Sequence, residues 1–284
     1  MMTEQSKLTK LTKLSNLGNF THKTFPLLKA LTQLTLLSFY LFGFTAQSQT
    51  NVSGPLTAEA FSELHQCDKK FEYDVYFLGG KVGYLHRKIK WDNSAAATKA
   101  TVTSYGEVSF LWLDSTYQQQ STMQYLPQNN HFLTPSFSQK LTGIKSREMK
   151  ADISSNGLSS TVTLDADVSH YQQKDENNNN PLYDLDTLGA QIRLNLLQGK
   201  TRFTLSRQAS SKVESYQFEV AGSEVIHHEK WGELTTSKVV EVGEHENIVL
   251  WFSSKHDHQL IKAELDMIFS PVVWLSHFSK QCDS

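Results

Sequence analysis

Two histidines flank an aspartate between two strongly apolar runs, in the stretch NIVLWFSSKHDHQLIKAEL. On a β-strand His256 and His258 would share one face, so their imidazoles, with a third ligand from a neighbouring strand, could bind zinc. Residues 253–258, however, lie where a hairpin between the two runs must turn, and turns are polar because they face water. The usual zinc spacings are also absent. We therefore interpret the trio as a hairpin tip, keep His256 and His258 as the metal candidates, and predict neither a metal nor another cofactor.

Catalytic signatures with a fixed spacing are missing from the sequence, which has no Gly-x-Ser-x-Gly and no His-Glu-x-x-His. Carboxylates two residues apart, which share one face of a strand, occur as Asp165 with Asp167, Asp184 with Asp186, and Glu264 with Asp266. Helix capping and the helix dipole explain the middle pair, and a solvated sheet face explains the others. We predict no catalytic residue. The alternative is an enzyme of another type, such as a hydrolase of cell-envelope glycans.

Large aromatic residues lie in the apolar runs and are the candidates for a ligand pocket. An incompletely closed β-barrel leaves a concave side, where apolar side chains can bind a lipid-like molecule. We predict that this pocket is lined by Phe110, Trp112, Leu188, Ile192 and Trp251. The alternative is an ordinary hydrophobic core, which is where large aromatic residues usually lie.

The elements that must position these residues are mostly strands. FEYDVYFL alternates apolar and polar residues, Gly79 and Gly80 supply a tight turn, and KVGYLHRKIKW follows, which together predict a hairpin. Further runs with the same period of two predict consecutive antiparallel strands on both sides of residues 172–181. That stretch, QQKDENNNNP, is polar and aperiodic, so we predict a loop that divides the chain in two.

One segment, YDLDTLGAQIRLNLLQGK, predicts a helix directly after that loop. Asp186 can cap its start, and Gly199 can end it. Its apolar stripe consists of Leu185, Leu188, Ile192 and Leu196. A single helix among many strands must pack against the sheet. We therefore predict a mainly β fold, an antiparallel open barrel or half-barrel packed against one central helix.

The order of these elements resembles a known family. A YDVYFLGGKVGY hairpin precedes a YDLDTLGAQIR helix, which is followed by YQFEVAGSEVI and by a VLWFSSKHDHQLIKAELD hairpin. This order is similar to that of the Gram-negative periplasmic domains of unknown function numbered 3108, over roughly residues 71–266. The resemblance implies a secreted antiparallel β-protein with an open-barrel or half-barrel shape, and it implies no reaction.

The first part of the chain has the pattern of a secretion signal. Five lysines between Lys7 and Lys29 precede an uncharged apolar run from Ala30 to Phe44, and TAQSQ follows. The run is shorter than the roughly 20 residues that a membrane-spanning helix needs, although an uncleaved anchor is the alternative. We predict a signal peptide with a long positively charged start over residues 1–48, and one β-rich domain over residues 49–284.

Cys67 and Cys282 are the two cysteines of the chain. In an oxidising compartment an even number of cysteines favours pairing, so we predict a disulfide that ties the ends of the domain together. The alternative is a pair of buried free thiols.

The charge of the chain narrows the choice of partners. A net charge of -2 from dispersed charges, without a basic stripe, argues against nucleic acid. We expect a periplasmic, non-catalytic protein with a binding or assembly role in the cell envelope, and with an apolar small molecule or an envelope protein as its partner. An interaction module that adds an edge strand to another envelope protein is the second interpretation.

Overall fold

The structure is a computed structural model, and it describes residues 67–92, 99–110, 113–143, 146–173, 180–243, 248–265 and 270–282. The predicted signal peptide and Trp112 lie outside these residues. The strands are β1 (Asp68–Phe77), β2 (Gly80–Trp91), β3 (Lys99–Phe110), β4 (Leu113–Leu126), β5 (His131–Thr142), β6 (Arg147–Ile153), β7 (Ser159–Leu164), β8 (Asp167–Gln172), β9 (Leu182–Tyr183), β10 (Arg202–Gln208), β11 (Val213–His228), β12 (Gly232–Glu241), β13 (Ile248–Ser253), β14 (Gln259–Leu265) and β15 (Val272–Gln281). Helix α1 spans Leu185–Leu197, and a short 3-10 helix spans Ser254–His256.

All of these strands belong to one sheet, in the order β8-β7-β6-β5-β4-β3-β2-β1-β15-β14-β13-β12-β11-β10-β9. Strands that are consecutive in sequence pair with each other, except β8 and β9, and β1 pairs with β15, so the first and last described strands meet in the middle of the sheet. Pairing is antiparallel except between β9 and β10. Because β8 and β9 form the two edges, the sheet is open. The structure confirms the prediction of a mainly β fold with one central helix, and the barrel is not closed.

The sheet curls until its two ends touch. Ser160 Oγ on β7 donates a hydrogen bond to Gln208 Oε1 on β10 at 2.6 Å. The Leu182 N–H donates to the Gly157 carbonyl at 2.8 Å. Gly157 has a φ of +76°, and a Cβ there would lie 2.6 Å from Pro181 Cβ, so this close approach requires glycine. Side chains and one turn thus join the ends of the sheet where no strand ladder does.

The N-cap of helix α1 lies two residues earlier than the sequence predicts. The N-cap is Asp184, whose carboxylate accepts hydrogen bonds from the Asp186 N–H at 2.9 Å and the Thr187 N–H at 3.2 Å. The prediction that Asp186 caps the helix is therefore wrong, because the carboxylate of Asp186 points to the sheet and is engaged there. At the other end Gly199, at a φ of +70°, closes a Schellman motif with Lys200, as the sequence predicts.

The predicted disulfide between Cys67 and Cys282 is present. It lies directly beyond the pair Asp68 and Gln281 of the β1–β15 ladder, so it fastens the first described strand to the last. Within the described part of the chain, no helix is both long enough and apolar enough to cross a membrane.

Candidate functional site

A cavity of about 220 Å³ lies between α1 and the concave side of the sheet. Its walls are mainly apolar and come from β1, β2, β13, β14, β15 and the helix. The apolar side chains from the sheet include Phe71, Tyr73, Leu85, Ile89, Leu250, Phe252, Ala263 and Val273. The helix contributes Leu185, Leu188, Gly189 and Ile192, residues three or four positions apart that lie on one face.

Strand alternation explains how β1 lines the cavity. Lys69, Phe71 and Tyr73 are buried and border the cavity, whereas the intervening Lys70 and Glu72 are exposed. Gly189 adds space on the helix side. A Cβ on Gly189 would meet no atom closer than Arg87 Nη1, at 4.0 Å, so this position leaves room that a side chain would fill.

A cluster of charges lies at one end of the cavity, and we call it the cation cluster. It consists of Lys69, Arg193, Lys280 and Asp257. Asp257 Oδ2 is 3.4 Å from Arg193 Nη2 and 3.8 Å from Lys69 Nζ, and Asp257 Oδ1 is 3.9 Å from Lys280 Nζ. Lys69 and Arg193 also line the cavity, so two basic groups border an apolar space.

Burial changes the protonation of this cluster. Burial and, to a smaller extent, the positive charge of Arg193 lower the pKa of Lys69 to about 7, while Asp257 opposes the change. Burial also lowers the pKa of Arg193 to about 10. The pKa of His258 is lowered by burial and by Arg193. Lys69 is therefore a lysine that gains or loses its charge near neutral pH.

An ion pair lies at the start of α1, where it borders the same cavity. Arg87 Nη2 on β2 is 2.6 Å from Asp186 Oδ1. Ser104 Oγ and Gln119 Nε2 donate hydrogen bonds to Asp186 at 2.9 and 2.8 Å. Burial raises the pKa of Asp186, and the charge of Arg87 opposes that change. Each partner is thus engaged by the other.

Asp184 is held by a second set of donors. Gln119 Nε2 donates to its carboxylate at 2.7 Å, Ser121 Oγ at 2.6 Å and Thr134 Oγ1 at 3.0 Å. These donors lie on β4 and β5, and Asp184 at the same time caps α1. The start of the helix is therefore fixed to the sheet by buried, charge-assisted hydrogen bonds, which keeps the helix in place above the cavity.

A family model described as "Protein of unknown function (DUF3108)" matches residues 72–273. The chain belongs to this family. A search of the curated proteins and a search of the solved structures found no match. The DUF3108 match includes α1, Arg87, Arg193 and Asp257, whereas Lys69, Lys280 and both cysteines lie just beyond its ends.

In this DUF3108 protein, Leu188 and Ile192 line the cavity. Trp251 is buried between Leu250 and Phe252, which line the cavity, but its own ring packs against the ammonium groups of Lys238 and Lys262, at 5.4 and 4.4 Å. Trp251 Nε1 also donates to Glu224 at 3.2 Å.

Phe110 lies at the end of β3 and packs edge-to-face on Phe77, with 4.8 Å between the ring centroids. Of the described pocket candidates, the structure brings Leu188 and Ile192 together at the cavity, and Phe110 and Trp251 are elsewhere.

The His-Asp-His trio forms the tip of the β13–β14 hairpin. His256 ends the 3-10 helix and packs on Trp231, with 4.3 Å between the ring centroids. Asp257 and His258 both have positive φ, at 57° and 51°. Among the described residues, no group of three or more His, Cys, Asp or Glu side chains is arranged to hold a metal.

Asp257 is the residue of this tip that contacts the cations lining the cavity. The sequence had suggested the two histidines instead. The sequence also contains a signal that Lys69 is buried, which the prediction did not use. It precedes Phe71 by two residues, so it is a lysine on the apolar face of an alternating strand.

Proposed function

We propose that this protein binds an apolar, lipid-like ligand in the cavity under α1, in the periplasm, and that it catalyses no reaction. The observation that carries this proposal is the cavity of about 220 Å³ with apolar walls from both the sheet and the helix. Ligand sites in proteins are concave, mainly apolar and bordered by a few polar groups, and this cavity has those properties.

The size of the cavity argues for a ligand over an ordinary core. Protein interiors are close-packed and leave few spaces larger than a water molecule. At roughly 30 Å³ for each water, a space of about 220 Å³ corresponds to about seven waters. A ligand that fills the space removes the apolar walls from water, so the cavity favours binding.

The buried carboxylates support a binding role. Asp184 and Asp186 each accept several short hydrogen bonds or ion-pair contacts, which explain their burial without a role in proton transfer. The proposed location in the periplasm is supported by the charged and apolar pattern of residues 1–44 and by the disulfide, since disulfides form in oxidising compartments.

A second candidate function is the attachment of another envelope protein at the β8 edge. Within the described part of the chain, β8 pairs with β7 alone, and five of its six residues are exposed, with Tyr171 half-buried. An edge strand presents unpaired backbone groups to which a partner strand can add. Crosslinking in cells distinguishes the two functions, because this second one predicts a protein crosslinked through residues 167–172.

Isothermal titration calorimetry of 1-decanol into the mature chain tests this binding. Gly189→Leu places a side chain in the cavity from the helix, and Ala263→Leu does so from β14. We expect both variants to fold and to lose decanol binding, while Gly189→Ala, which adds one methyl 4.0 Å from Arg87 Nη1, retains most of it. Absence of binding to the unaltered protein, or binding that survives both leucine variants, contradicts the proposal.

A further inference from the structure

We propose that the ligand is an aliphatic carboxylate whose acidic head is held by Lys69 and Arg193 while its chain fills the cavity. This inference rests on the proposed function and names the class of ligand for the same site. The juxtaposition that carries it is a pair of basic side chains that line an apolar cavity and together face one loosely held carboxylate, that of Asp257.

Asp257 is the carboxylate with which a ligand head would compete for the two cations. Its Oδ2 atom is buried and accepts no hydrogen bond, although Arg193 Nη2 is 3.4 Å away and Lys69 Nζ is 3.8 Å away. Charge-assisted N–H···O bonds are usually about 2.7–2.9 Å long. Asp257 is attached to a hairpin tip and does not reach that distance. A carboxylate on a ligand in the cavity is free to approach the same cations closely.

Binding of the ligand head requires a movement at the hairpin tip that carries Asp257. β14 pairs with β15 only from Lys262 to Glu264, so the β13–β14 tip lies beyond the sheet ladder. Its backbone is held by Arg193 Nε, which donates to the Asp257 carbonyl at 2.8 Å. A shift of the Asp257 side chain would give the ligand head access to the cations without a change in the sheet.

The opposite end of the cavity does not offer the same site. There Arg87 already contacts Asp186 at 2.6 Å. Arg193 is seven residues further along the helix, which corresponds to roughly 10 Å at 1.5 Å per residue. An acidic head is therefore expected at Lys69 and Arg193, with the chain directed towards Leu185.

The test compares decanoate with 1-decanol, two C10 probes that differ in the charge of the head. Each is titrated into the mature chain and into the variants Lys69→Gln and Arg193→Gln. Lys70→Gln is the matched control, because Lys70 is the exposed neighbour of Lys69 on β1. We expect decanoate to bind at least about tenfold more tightly than decanol, which is the effect of one charge-assisted hydrogen bond. Each cavity variant should remove about that advantage and leave decanol binding within about twofold, and Lys70→Gln should change neither.

A second measurement needs no variant. Lys69 must be protonated to attract the carboxylate, and the groups that face it are Asp68 on β1, Arg193 on α1, Asp257 at the hairpin tip and Lys280 on β15. Decanoate affinity should therefore fall as the pH rises from 6 to 9, while decanol affinity stays constant. Equal affinity for the two probes, without this pH dependence, overturns the carboxylate proposal and leaves the apolar site intact. Failure of both probes to bind overturns the proposed function itself.

Discussion

Arg193 on α1 and Asp257 at the tip of the β13–β14 hairpin form the contact that joins the helix to the hairpin at the cation cluster. Arg193 Nε donates to the Asp257 carbonyl at 2.8 Å, and its Nη2 lies 3.4 Å from Oδ2 of the same residue. One residue thus joins the helix to a hairpin 64 positions away in sequence. The same contact brings Asp257 next to Lys69, so the cation cluster is made by elements that meet only in the folded protein.

Replacing Asp257 with Asn should have opposite effects on stability and on binding. The variant removes the carboxylate that faces Lys69, Arg193 and Lys280, so we expect a loss of about 1–3 kcal/mol in the free energy of unfolding. It also removes the internal competitor for the ligand head, so decanoate should bind more tightly. Urea denaturation and calorimetry measure the two effects. Asp74→Asn is the control, because the exposed Asp74–Lys81 pair contributes about 0–1 kcal/mol. A parallel loss of stability and of decanoate affinity in Asp257→Asn would contradict the role given to Asp257.

The ion pair at the start of α1 should be essential for stability. Asp186→Asn leaves the guanidinium of Arg87 buried without its carboxylate, and the expected cost is about 3–5 kcal/mol. The double variant Arg87→Gln, Asp186→Asn removes both charges, so it should be more stable than Asp186→Asn alone. A double-mutant cycle by urea denaturation measures the coupling. Additive effects would show that the two charges do not depend on each other.

The buried lysine predicts how stability changes with pH. The pKa of Lys69 is about 7 in the folded protein, against an ordinary value of 10.5. Between these two pH values the unfolded chain binds the proton and the folded protein does not, so this group makes the free energy of unfolding rise with pH. Below about pH 7 the lysine is charged in both the folded and the unfolded protein, so the full cost of burying its charge lowers the free energy of unfolding.

Lys69→Met removes this contribution. We expect the variant to be more stable than the unaltered protein near pH 6, with the difference shrinking as the pH rises to 9. Chemical denaturation at a series of pH values measures it, with Lys70→Met as the exposed control. A difference that stays constant over this range would show that Lys69 keeps an ordinary pKa.

The disulfide should stabilise the fold strongly. Cys67 and Cys282 are 215 residues apart in sequence, and in the chain-entropy model a loop of that length contributes about 5 kcal/mol. The Cys67→Ser, Cys282→Ser variant should unfold at a lower urea concentration, and added reductant should produce the same change in the unaltered protein. A reductant effect that persists in the double variant would show that another cause is involved.

Much of the fold followed from local patterns. The period of two predicted the strands. Gly199 predicted the end of α1, because helices often end at a residue with positive φ and glycine adopts that conformation readily. Leu188 and Ile192 were found because they lie on the buried stripe of one amphipathic helix. The N-cap was misassigned because Asp184 and Asp186 are both suitable caps, and only the hydrogen bonds from β4 and β5 distinguish them.

The cavity itself could not be located from sequence. Leu250, Trp251 and Phe252 are all apolar, so alternation in β13 did not tell which side chains face the helix. The cation cluster depends on contacts between Lys69, Arg193 and Asp257, whose meeting is set by strand order and not by spacing. The residue types at the hairpin tip suggested a metal site at the histidines. Residue types alone do not show that Asp257 is the side chain that contacts the cations of the cavity.

The most direct test is a crystal structure of the protein soaked with 10-bromodecanoate, using the anomalous signal of bromine. We predict a bromine peak in the cavity near Leu185, with the carboxylate at hydrogen-bond distance from Lys69 and Arg193 and with Asp257 displaced from them. A cavity without bromine, or bromine found only on the outer surface, would contradict the account.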